Sequence, residues 1–120
     1  MAQAAVKQII EDYVTAVSNA DTDLLARTFR DDARMWGWLG PELEAVPISE
    51  FFKVVEGSKE DMSWKENFSY TIRNVEANGK VGYGVLEETG YLGANFVTYF
   101  TCINDGERWQ IASKTFTMVE

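Results

Sequence analysis

The chain has 120 residues, 46% of them apolar and 13% aromatic, with eleven basic against nineteen acidic side chains and a formal net charge of −8. That length accommodates one domain, residues 1–120, and such a domain buries about two thirds of its unfolded surface, enough for a core without metal or disulfide staples. The acidic balance argues against nucleic acid and anionic membrane as partners, since both are held by clustered Lys and Arg.

Val6, Ile9, Ile10, Tyr13, Val14 and Val17 recur at spacings of three and four, which predicts an amphipathic helix from Met1 to Val17 rather than a signal peptide. Asp21 has the character of an N-cap for a second helix through Leu24, Leu25 and Phe29, ending around Asp31 and Asp32. A short strand and turn follow at Met35-Trp36-Gly37-Trp38-Leu39-Gly40, with Leu43 to Val46 returning as partner. Pro47 and Ser49 open a third helix whose apolar face is Phe51, Phe52, Val54 and Val55, and Gly57 ends it.

The second half reads as a sheet. Tyr70–Ala77 and Lys80–Glu87 flank Asn78-Gly79, and Ala94–Asn104 and Arg108–Val119 flank Asp105-Gly106. Both dipeptides tolerate positive φ and mark hairpins. The order is helices first, then a four-stranded antiparallel meander, an α+β architecture with the helices on one face of the sheet. With a two-residue turn at Asp105-Gly106, Phe96, Thr98, Phe100 and Cys102 share a face with Trp109, Ile111, Ser113 and Thr115. Val97, Tyr99, Thr101 and Ile103 then share the other with Gln110, Ala112, Lys114, Phe116 and Met118. Neither face is a solvent face. One cover is the chain's own helices and the other, most economically, a second copy, so a homodimer is expected.

Cys102 is the lone cysteine, expected to be a small buried residue in a protein of a reducing compartment, the cytoplasm. The chain has no histidine. It therefore lacks the side chain that titrates nearest neutral pH and the commonest transition-metal ligand, and neither a metal nor a cofactor is expected.

Three stretches carry a family resemblance. Tyr13-Val14-Thr15-Ala16-Val17, Asp21 to Leu25 and Phe29-Arg30-Asp31-Asp32-Ala33 resemble the opening of the nuclear-transport-factor-2-like superfamily, and Asp105-Gly106-Glu107-Arg108-Trp109-Gln110-Ile111 with Lys114-Thr115-Phe116 resembles its last hairpin. The middle, Met35 to Gly40 with Phe51-Phe52, is most similar to the SnoaL-like, lumazine-binding branch. The resemblance implies a cone-shaped roll: a curved sheet wrapped round a long helix, a pocket between them, and dimerisation through the sheet. The superfamily holds isomerases, dehydratases, hydrolases, ligand carriers and interaction domains, so fold alone chooses no function.

Ketosteroid-isomerase-like members use a tyrosine and a protonated acid as oxyanion donors with a carboxylate base. Tyr13 matches the tyrosine, Gly37 stands where the base is expected, and Thr98, Tyr99 and Thr101 lie near the acid's position without a carboxylate. Scytalone-dehydratase-like members depend on histidine. The catalytic set of either is thus not reproduced. Tyr13 and Tyr99 are candidate hydrogen-bond donors to a ligand, or core tyrosines bonded to backbone. Lys114 is a candidate for an anionic or carbonyl group, or a lysine at the mouth or an interface. Trp36, Phe52, Trp64 and Phe116 form an aromatic pocket wall or plain core. Asp31-Asp32 reads as a capping or solvated pair, and one of Glu87 and Glu88 faces inward.

The reading that results is a dimeric, cofactor-free protein with an aromatic-lined pocket for a small apolar molecule, expected to be roughly 300 Å³ or more. The alternatives are an isomerase or lyase acting on an apolar carbonyl compound, and a protein-interaction domain with a filled pocket.

Overall fold

A computed structural model of the chain describes residues 2–120. Met1, which opens the first predicted helix, lies outside the described residues. The elements are α1 (Ala2–Ser18), α2 (Thr22–Thr28), β1 (Phe29–Leu39), β2 (Glu42–Pro47), α3 (Ser49–Gly57), two 3₁₀ turns (Ser58–Glu60 and Ser63–Asn67), β3 (Ser69–Asn78), β4 (Val81–Tyr91), β5 (Ala94–Asn104) and β6 (Trp109–Val119). Among the described residues no helix is long and apolar enough to cross a membrane.

The six strands form one sheet in the order β2-β1-β6-β5-β4-β3, with the helices packed on its concave side. The early hairpin extends the meander: β1 lies beside β6 and runs parallel to it, so the sheet is mixed rather than purely antiparallel. The second helix ends earlier than its sequence suggests. Asp21 caps it as expected, accepting from the Leu24 backbone N–H at 3.0 Å, but Phe29 already begins β1. Its ring is fully buried, which suits an inward strand position as well as the helical one that periodicity implied.

Helix α1 lies close upon β4 because the strand offers it glycines. A Cβ on Gly82 would come 2.7 Å from Val6 Cγ2, and one on Gly84 would come 2.4 Å from Ile10 Cδ1. Four residues of helix advance about 6 Å and two of strand about 6.7 Å, so the two elements keep step along this contact. Continuing the ladder sets Tyr13 of α1 over Leu86 and Glu88 of β4.

Three turns and two bulges set which side chains face inward. The β3–β4 turn is Gly79-Lys80, one residue later than Asn78-Gly79. The β4–β5 turn, which the sequence did not announce, is Leu92-Gly93 with both residues at positive φ, 52° and 84°. The β5–β6 loop spans the four residues 105–108, since Asn104 pairs with Trp109. In β6 the register then shifts: Cys102 pairs with Ile111 but Thr101 with Ser113, leaving Ala112 as a bulge. From that point Lys114 pairs with Phe100 and Phe116 with Thr98. Lys114 and Phe116 therefore share the concave face with Phe96, Thr98, Phe100 and Cys102, instead of the face opposite to them that a regular hairpin dictates. A second bulge at Thr89-Gly90 in β4 brings Glu88 and Tyr91, three residues apart, to the same inner face.

Candidate functional site

At the open end of the cone, between α3 and the inner face of the sheet, lies a cavity of about 90 Å³. Its floor holds Glu88, Lys114 and Phe116; Met35, Phe51, Tyr91 and Phe96 wall it; Leu39, Val54 and Leu92 rim it. It is smaller than the pocket expected from sequence because aromatic rings fill the cone. The Phe116 ring takes the space above Gly37, where a Cβ would lie only 2.1 Å from Phe116 Cε1. Where an isomerase-type base would stand, this chain has a phenyl ring instead.

Lys114 is 5% exposed. Its Nζ sits between two rings, 4.2 Å from the centroid of Phe51 and 4.1 Å from that of Phe116, a cation–π sandwich. Among the described residues its one hydrogen-bond acceptor is Met35 Sδ, at 3.6 Å, which is weak for an ammonium. Glu88, 3% exposed, sits on the adjacent inner face of β4, and among the described residues no contact within 4.0 Å joins the two into an ion pair. Burial raises the Glu88 carboxyl from 4.5 to about 7, opposed by the positive charge of Lys114. Burial lowers the Lys114 ammonium from 10.5 to about 8, opposed by the Glu88 carboxylate. Each group is held charged mainly by the other.

The surroundings are short of hydrogen-bond partners. Among the described residues, Glu88 Oε2, Tyr91 Oη, Tyr13 Oη, Thr98 Oγ1 and Trp64 Nε1 are buried and have none. They form one neighbourhood. The charge of Glu88 raises the phenol pKa values of Tyr13 and Tyr91, after burial itself, and Thr98 pairs with Leu86, two residues from Glu88. Trp64 meets Tyr91 edge-on at 5.1 Å. Buried polar atoms are normally satisfied; of these five residues Glu88 and Tyr91 line the cavity, where water or a polar group from outside the chain can approach them.

The residues singled out from sequence divide by location. Lys114 and Phe116 are in the cavity. Tyr13 lies beneath it, stacked on Phe51 at 6.0 Å with its hydroxyl unpartnered. Trp64 is one ring away, behind Tyr91. Phe52 packs against Phe29, outside the lining. Trp36 and Tyr99 stand 45% and 51% exposed on the convex face, because strand alternation turns them opposite to Met35 and Phe100. Of the acidic pair, Glu88 faces in and Glu87 out, where it binds Arg73. Asp32 is solvated and paired with Arg30 at 2.9 Å, on the rim of a polar surface cleft away from the cavity. Cys102 is buried, its thiol pushed up to about 12 by burial. Sequence reasoning left Glu88 unresolved and passed over Tyr91. The signal for Glu88 was the alternation Gly82, Gly84, Leu86, in which the next member is residue 88. Tyr91 leaves that alternation through a bulge.

No curated protein matches the chain in sequence. Among solved structures, NTF2-like proteins of unknown function are similar. One from Silicibacter pomeroyi DSS-3 is 23% identical with a TM-score of 0.85 over 97% of this chain and 94% of that one. Another from Methylobacillus flagellatus KT is 18% identical with a TM-score of 0.85 over 98% and 91%. A ketosteroid isomerase-like protein from Erwinia carotovora atroseptica SCRI1043 is 20% identical, with a TM-score of 0.70 over 98% and 95%. At these identities the likeness shows the fold. The family model described as "Putative lumazine-binding" matches residues 1–117, nearly the whole chain, and the chain belongs to that family.

Proposed function

We propose that the protein binds a small, largely apolar molecule carrying one polar group in the concave cavity, acting as a homodimer in a reducing compartment such as the cytoplasm. The observation that carries the reading is an apolar, aromatic-walled cavity lined by buried Glu88 and Lys114 and by Tyr91, whose hydroxyl has no partner among the described residues. The apolar body would lie among Phe51, Phe96 and Phe116. The polar group would meet Lys114 Nζ and the Tyr91 hydroxyl as donors, or the Glu88 carboxylate as acceptor. Tyr13 and Trp64 support this wall from behind; Phe52, Trp36 and Tyr99 stand outside it. About 90 Å³ admits a short molecule, and a longer one requires the exposed rim side chains Leu39, Val54 and Leu92 to rotate outward.

A second reading, an isomerase or lyase acting on an apolar carbonyl compound without a cofactor, is favoured by one feature. Glu88 is a carboxylate with its proton affinity tuned toward neutrality, beside the Tyr91 hydroxyl and the Lys114 amine. An interaction domain with a filled pocket would have no use for a buried charge pair, which apolar packing could replace without loss of stability.

The test is native mass spectrometry of the purified protein, with denaturing extraction of anything bound, followed by titration with short apolar ketones, alcohols and carboxylic acids observed by NMR. The binding reading expects shifts centred on Phe51, Tyr91 and Phe116, diminished in Lys114→Met. If no compound of any of these classes perturbs those signals, the reading fails.

A further inference from the structure

We propose that Lys114 is an amine nucleophile, whose Nζ condenses with the carbonyl carbon of a short-chain apolar aldehyde held in the concave cavity while Glu88 carries the protons. The inference deepens the binding reading above and rests on it, since the aldehyde must enter the same cavity.

Three observations support it. Lys114 is almost wholly buried yet lines the cavity, and its Nζ has no oxygen acceptor among the described residues. A structural lysine at this depth would be expected in contact with its carboxylate; here Glu88 keeps its Oε2 unpartnered and faces the same cavity. The Phe51 and Phe116 rings flank Nζ at 4.2 and 4.1 Å from their centroids and fix its position without accepting a conventional hydrogen bond from it. The charged group acting on Nζ is Glu88 of β4, which in turn acts on Tyr91 of β4 and Tyr13 of α1. Both phenols stay protonated well into alkaline pH, so Glu88 is the group that exchanges protons with Lys114. Burial brings the proton affinities of the ammonium and the carboxyl toward each other, and, since the two stand more than 4.0 Å apart, the proton passes through a water in the cavity.

Passing that proton to Glu88 leaves a neutral amine beside a carboxylic acid. The nitrogen lone pair attacks the carbonyl carbon, and the C=O π electrons move to oxygen. A proton moves from nitrogen to that oxygen, giving a carbinolamine. Glu88 protonates the hydroxyl, the C–O bond breaks, and water leaves. The product is the iminium of Lys114 beside the Glu88 carboxylate, with one water released and no change of oxidation state.

The experiment exposes the wild-type protein to butanal with sodium cyanoborohydride near pH 8 and maps the N-butyl lysines by peptide mass spectrometry. The other five lysines, Lys7, Lys53, Lys59, Lys65 and Lys80, serve as internal standards. An ordinary lysine is about 0.4% neutral at that pH and burial makes Lys114 more so, so labelling of Lys114 is expected to be faster by on the order of tenfold or more. Glu88→Gln is expected to slow it by at least about fivefold while leaving the other five unchanged. Labelling of Lys114 no faster than the standards overturns the proposal, whatever the variant does. Binding of butan-1-ol, followed by NMR at Phe51 and Phe116, separates the two failures. Binding without preferential labelling sinks the nucleophile alone; absence of both sinks the cavity as well.

Discussion

Glu88 and Lys114 make a stability profile that a surface pair would not. The folded-state pKa of Glu88 is raised from 4.5 to about 7, so between these values the folded chain holds more protons than the unfolded one, and stability falls as pH rises. The Lys114 pKa is lowered from 10.5 to about 8, so across that span the unfolded chain holds more protons, and stability rises with pH. The pair therefore costs most between about pH 7 and 8. Replacing both, Glu88→Gln with Lys114→Met, is expected to be neutral or to stabilise by about 1–3 kcal/mol near pH 7.5, with the gain shrinking toward pH 5 and pH 10. Urea denaturation across that range checks it, and a gain independent of pH would refute the assignment. Lys114→Met alone should destabilise at pH 7.5 and much less at pH 5, because the stranded carboxylate can then take a proton.

Glycine placement and turn chemistry govern how the elements meet. Gly84→Ala should cost about 1–3 kcal/mol by pushing Ile10 off β4, and Ile10→Val, which removes the obstructing Cδ1, should restore part of that loss in a double-mutant cycle. Strict additivity would mean that the two do not touch. At the β4–β5 turn, Leu92 adopts a left-handed φ of 52° that disfavours an aliphatic side chain. Leu92→Asn should stabilise by about 1 kcal/mol in thermal or urea unfolding, because asparagine suits both positions of such a turn. The same residues show what the sequence could convey. The α1 stripe, the Asp21 cap, α3 and the long strands were legible, since each rests on local periodicity or a local side-chain bond. The Leu92-Gly93 turn was not, because leucine is not a turn former, and neither was β1 beside β6, because strand order is a long-range property. The site was half legible. Lys114 and Phe116, singled out from sequence, line the cavity, yet the face they share with Phe100 and Thr98 depends on a bulge at Ala112 that alternation alone cannot locate.

For the whole molecule, the unresolved demand comes from the convex face. Strand pairing sets Trp36, Thr115 and Tyr99 in one row and Trp38, Thr117 and Val97 in the next, on the face opposite the described helices. Trp36, Trp38 and Tyr99 are each about half exposed there, on strands whose other face is core. Contiguous aromatic surface of this kind is seldom left to water, and a second copy meeting it face to face covers both at once. Sedimentation equilibrium is expected to show a dimer at micromolar concentration. Tyr99→Glu should convert it to monomer with an unchanged far-ultraviolet spectrum, because Tyr99 contributes nothing to the concave core. Salt supplies an independent check. Each copy carries a formal charge of −8, so association of two copies works against long-range repulsion that ions screen over about 8 Å at physiological strength. Raising ionic strength should therefore tighten the dimer, whereas an interface held by ion pairs would loosen. A wild-type chain that stays monomeric at high salt and high concentration would leave the convex face for a different partner.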